Sequence, residues 1–131
     1  MSRLYYLKNE LDSAEILVLE ELKTRPDNID LLTHLGVINA KKGNKTKANE
    51  IISKLESLKE KYDLGVTPYF QGRIKSVLGE YESAIQYLSK ALDEGITFQV
   101  GTTFHHDPDL IMMKNDKAFQ ELLIRNRYQG N

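Results

Sequence analysis

The 131-residue chain contains no cysteine, so neither disulfides nor thiolate metal sites arise. It also lacks an excess of either charge. Eighteen basic residues stand against nineteen acidic ones, a net charge of −1. Nothing in that balance pulls on a phosphate backbone, which argues against nucleic-acid binding. Long apolar runs are missing too. Stretches such as Ile16 to Leu19 are far too short to span a bilayer. The amino terminus has no charged-then-apolar pattern of a secretory leader, so a cytoplasmic location is the expectation. No nucleophile–base signature is visible, and no glycine-rich phosphate loop, because both Gly-x6-Gly spacings fall inside helical patterns. What remains is ordinary globular chemistry, with 40% apolar content in a chain of single-domain length.

What is present centres on residues 69–95, YFQGRIKSVLGEYESAIQYLSKALDEG. Gly72 and Gly79 are seven residues apart. Behind them Tyr81, Ala84, Ile85, Leu88, Ala91 and Leu92 recur at helical spacing. A glycine that closes one helix, followed by a second helix with a single apolar face, reads as a helical hairpin. The pattern recurs upstream. Gly36 is followed by Gly43 and then Ala48, which opens a stripe of Ala48, Ile51, Ile52, Leu55 and Leu58. A third, looser copy opens the chain, with Asn9 in the loop slot, then Ala14 and Val18, and Pro26 as its end. Ala14 to Ala48 is 34 residues and Ala48 to Ala84 is 36.

This period and pattern resemble the tetratricopeptide repeat (TPR). The small residues of the repeat are kept as Gly36 and Gly72, and as Ala14, Ala48 and Ala84, where larger side chains would push the paired helices apart. The aromatic slots are softened: Leu32 stands for the Trp, Asn39 for the Tyr, and Ile52 and Leu88 for the Phe. Lys75 and Glu21 depart from the pattern, as do two extra residues between the second and third copies. The resemblance implies an all-α solenoid with repeats near 1–28, 29–62 and 65–98 in a single domain. Helices are expected near 11–24, 29–41, 45–61, 68–78 and 81–94.

Local signals place the boundaries. Pro26-Asp27-Asn28 stops one helix and caps the next. Thr67 is the expected cap and Pro68 the first-turn residue of the following one. Residues 96–106 have no helical period and read as an extended connector. Asp107-Pro108 then starts a short turn, and Asn115 or Asp116 caps a final helix with Ala118, Phe119, Leu122 and Leu123 on one face. This DPDL…NDKAFQELL stretch resembles the segment that ends many bacterial TPR arrays, which implies a cap at 107–127 over the apolar end of the repeats.

Met1 to Leu7 is too short for a complete first helix of a pair, and helix 11–24 is apolar most of the way round. Leu11, Ala14, Val18 and Leu22 form its inner stripe, while Ile16, Leu17 and Leu19 lie off it. Two expectations follow: the chain is a segment of a longer protein, and Ile16 and Leu19 mediate self-association, as a homodimer through this end. The competing account is that Tyr5 and Tyr6 fold over the strip.

The TPR resemblance implies a non-catalytic protein-interaction scaffold that holds a peptide or protein in a groove lined by the first helix of each pair. By register the groove residues are Asp30, Thr33, His34, Val37 and Lys41 from one repeat, with Val66, Tyr69, Phe70, Arg73 and Val77 from the next. The Lys/Asn/Arg ring with which some TPRs hold acidic chaperone tails is absent, because Thr33, Val37 and Phe70 occupy its places. Tyr69, Phe70 and Arg73 are of the types enriched at binding hot spots; the alternative is that Tyr69 or Phe70 packs against helix 45–61. A second functional reading is a regulatory or sensor segment of a larger bacterial signalling or transcription protein. No enzyme activity and no cofactor or metal is expected. His105-His106-Asp107-x-Asp109 has metal-ligand residue types, but adjacent histidines on an extended segment point to opposite faces and read as surface or capping residues.

Overall fold

In the computed structural model the described residues are 3–59, 63, 65–96 and 108–129, with side chains for 10–59, 63, 65–96 and 108–124. They are all-helical, with no strand among them. The elements are α1 (Arg3–Thr24), α2 (Ile29–Lys41), α3 (Lys45–Leu58), α4 (Val66–Val77), α5 (Tyr81–Asp93), a 3-10 turn (Ile111–Met113) and α6 (Lys117–Gln129). The chain divides into two compact units, residues 1–58 and 59–131.

In the first unit α2 packs on both α1 and α3. That position explains its composition: from Leu32 to Ala40 every residue except His34 is buried. Asn28 begins it, accepting a 2.9 Å hydrogen bond from the Leu31 N–H through Oδ1, as the stop-and-restart pattern leads one to expect. α3 buries the expected stripe of Ala48, Ile51, Ile52 and Leu55. Its described helix ends at Leu58, and residues 60 and 61 lie outside the described set.

The amino-terminal expectation needs correction. Residues 3–24 form one 22-residue helix, and Asn9 is not in a loop. Neither glycine nor proline occurs before Pro26, and a lone Asn disfavours a helix too weakly to break it. The inner stripe is as expected, with Val18 buried and Leu11, Ala14 and Leu22 half-buried.

In the second unit α4 and α5 form a hairpin whose crossing is set by Gly72. A Cβ there would lie 2.9 Å from Leu88 Cγ and Cδ2 and 3.2 Å from the Ala84 carbonyl oxygen. Ala84 and Leu88 are themselves 0% exposed. The entry into α4 differs from the expected cap. Thr67 is inside the helix, and Asp63 caps it instead, accepting from the Gly65 N–H and the Thr67 N–H at 3.1 Å each. Gly65 takes φ +87°, and a Cβ on it would meet the Ala91 carbonyl oxygen at 2.4 Å, so the tight entry admits only glycine.

The carboxy-terminal segment completes this unit. Asp116 Oδ1 accepts from the Phe119 N–H at 3.1 Å and starts α6, which packs on α5, while the 3-10 turn lies on α4. Leu110, Met113, Phe119 and Leu122 share one core with Tyr69, Ala84, Leu88, Ala91, Leu92 and Ile96. Phe119 and Leu122 thus cover α5 from within this core. The expected extended connector, residues 96–106, lies outside the described set except for Ile96, which is buried.

Candidate interaction surface

The residues expected to line a groove divide into two groups, each positioned within its own unit. On α2, Asp30, His34, Val37 and Lys41 form one row at spacings of four, three and four. Asp30, His34 and Lys41 are exposed, but Val37 is only 6% exposed. Thr33 is buried and donates its hydroxyl to the Ile29 carbonyl at 2.8 Å. α2 therefore offers three charged or polar side chains along a line, and Val37 is withdrawn from contact.

On α4 the chain itself occupies much of the face. Tyr69 is 2% exposed and belongs to the core shared with α5 and the carboxy-terminal segment. Phe70 is half-buried against the same core, as is Val66, and Val77 is half-buried. Arg73 directs Nε and Nη2 to a single oxygen, Asp109 Oδ2, at 3.0 and 2.8 Å. Its guanidinium carbon also lies 5.5 Å from the Phe70 ring centroid, within cation–π range. Arg73 is thus committed to an intramolecular pair whose carboxylate side chain is only 8% exposed. Sequence reasoning missed this pair because its members are 36 residues apart.

A second charged network ties α1 to α2 and was also not foreseen. Lys42 Nζ donates to Asp12 Oδ1 at 2.7 Å and to Glu15 Oε1 at 2.8 Å. Asn39, 1% exposed, donates Nδ2 to Glu15 Oε2 at 2.8 Å and to the Leu35 carbonyl at 2.9 Å. The Lys42 hydrogen bond holds the Glu15 carboxyl below its ordinary pKa, with Asn39 helping and burial opposing. Asp12, then Glu15, raise Lys42 above its ordinary value. At the carboxy terminus of α2, where a basic side chain also suits the helix dipole, Lys42 is a clamp between two helices.

An open recess of about 400 Å³ lies on the α4–α5 hairpin, lined by Lys75, Ser83, Gln86, Tyr87 and Lys90. Lys75 is held there by Glu80 at 2.7 Å. His105, His106 and Asp107 lie outside the described residues, and Asp109 is the partner of Arg73. Among the described residues no three His, Asp or Glu side chains are grouped to hold a metal, and no helix is long and apolar enough to cross a membrane. Ile16 and Leu19 are exposed on α1, as is Leu17. Comparison with protein-family models, with curated proteins and with solved structures finds no match for this chain.

Proposed function

We propose that the chain is a non-catalytic protein-interaction module of the TPR type, with a peptide or protein as its ligand. The observation that carries this reading is the repetition of one hairpin chemistry. Ala48 and Ala84, 36 residues apart in sequence, are both 0% exposed on the second helix of a pair. Gly36 and Gly72 are buried at matching places on the first. Small residues at these positions bring two helices close and leave the outward side of the first helix for contacts.

Within that reading the contact row is Asp30, His34 and Lys41 on α2. These side chains are exposed, share one face, and carry both signs of charge, which suits a polar segment of a partner. Tyr69 and Arg73 contribute from within the fold, the one as core and the other as the anchor of Asp109.

The test is selection from a displayed random-peptide library on the immobilised chain, followed by fluorescence polarisation with the selected peptides. The double variant His34→Glu, Lys41→Glu should weaken binding about tenfold or more, which is roughly 1.4 kcal/mol. Lys90→Glu on α5 should leave it unchanged. Failure to select any peptide, or equal binding by the double variant, would refute the proposal.

A further inference from the structure

α1 presents more apolar surface than the described residues of the first unit cover. Its inner stripe packs toward α2, yet Ile16 is 62% exposed, Leu17 67% and Leu19 42%. Asp12, Ile16, Leu19 and Lys23 follow one another at spacings of four, three and four, so they form a single row along the helix. The row has an apolar centre, an acid at one end and a base at the other. Asp12 remains 47% exposed while it holds Lys42. Lys23 is 72% exposed beside Glu20.

We propose that a second copy of this chain docks on the row, with its α1 antiparallel to the first about a two-fold axis passing between residues 17 and 18. An isologous contact of this kind sets each residue against its complement twice. Ile16 meets the second copy's Leu19, Leu19 meets its Ile16, and the Asp12 carboxylate faces its Lys23 at both ends. A parallel pair would instead place acid against acid and base against base, which charge repulsion disfavours. Charge complementarity therefore selects both the occupant and its direction.

The size of the contact sets its strength. A helix of 22 residues is about 33 Å long at 1.5 Å per residue. A single helix pair of that length falls at the low end of specific interfaces, near or below about 1,200 Å² in total. The dimer is accordingly a reversible, concentration-dependent one. It is independent of the peptide-binding role, which uses α2.

Two measurements test it on the full chain. Light scattering across a concentration series reaching the order of 1 mM, where even weak association registers, should show the mass rising from 15.1 kDa toward twice that value. Ile16→Glu with Leu19→Glu should hold the chain at the monomer mass with an unchanged helical circular-dichroism spectrum. Because the protein has no cysteine, Asp12→Cys and Lys23→Cys chains allow clean cross-linking by a short bismaleimide. The mixture should give a covalent dimer, and each variant alone should give little. A chain that stays monomeric throughout, or a dimer indifferent to the Ile16/Leu19 change, would overturn the proposal. Cross-linking of each variant with itself would overturn the antiparallel direction.

Discussion

Replacing Gly72 by alanine sets two opposed effects against each other at one atom. Alanine in a helix interior is favoured over glycine by roughly 0.5–1 kcal/mol, because it loses less backbone freedom on folding. In this structure the added methyl would meet Leu88 Cγ and Cδ2 at 2.9 Å and the Ala84 carbonyl oxygen at 3.2 Å. Leu88 is fully buried among Ala84, Ala91 and Leu92 and has little room to retreat. Overpacking of this kind typically costs about 1–3 kcal/mol. The steric effect should win, with a net destabilisation of about 1 kcal/mol or somewhat more. For a unit of this size that corresponds to a fall in Tm of roughly 4–8 °C. Thermal unfolding followed at 222 nm measures it. The cause is isolated by a double-mutant cycle with Leu88→Ala, which removes the side chain the methyl would strike. The two changes should then be non-additive by more than about 0.5 kcal/mol, in the direction of relief. A Gly72→Ala variant more stable than the parent would mean that the helices do not approach closely at this point, and the hairpin crossing described above would be wrong.

Three further outcomes are expected. Phe119→Ala should destabilise the second unit by about 3–5 kcal/mol in chemical denaturation, since a fully packed aromatic leaves a cavity; a negligible change would show that α6 does not cap the core. Asp63→Ala should cost about 1 kcal/mol, read as a lower Tm, through loss of its bonds to the Gly65 and Thr67 N–H groups; Thr67→Val should have a much smaller effect, and the reverse order would restore Thr67 as the cap. Glu15 has a folded pKa below its unfolded one, so its contribution is present above the ordinary carboxylate pKa and is lost as pH falls through the lowered folded value. Lys42, raised in the fold, contributes below the ordinary lysine pKa and loses that contribution as pH rises through the raised value. Glu15→Gln should therefore flatten the acid side of the stability–pH profile, and an unchanged acid limb would exclude Glu15 as a source of it.

The sequence by itself determined where most helices lie, which face of each turns inward, and where the paired helices come close. These features are written in local, periodic form. Ala48, Ile51, Ile52 and Leu55 mark a buried face because every helical turn brings that face round again. Gly72 and Ala84 mark a close approach because only small side chains fit there. Asn28 and Asp116 mark helix starts by hydrogen-bonding to N–H groups three residues on. The sequence also showed that Ile16 and Leu19 stand off the inner stripe of their helix.

Only the tertiary structure decided which candidate contact residues remain at the surface. Arg73 and Lys41 look alike as cations on the first helices of two hairpins. One is drawn to Asp109 across 36 residues, and the other is exposed. Tyr69 and His34 likewise part company, one entering a core built partly by the distant Phe119 and Leu122. The Lys42 clamp on Asp12 and Glu15 belongs to the same class. Such pairings leave no trace in periodicity, because a charge or an aromatic ring finds its partner by distance in the folded chain. The continuity of α1 through Asn9 was decided in a different way: a weak local preference against helix yielded to the cooperativity of the turns on either side.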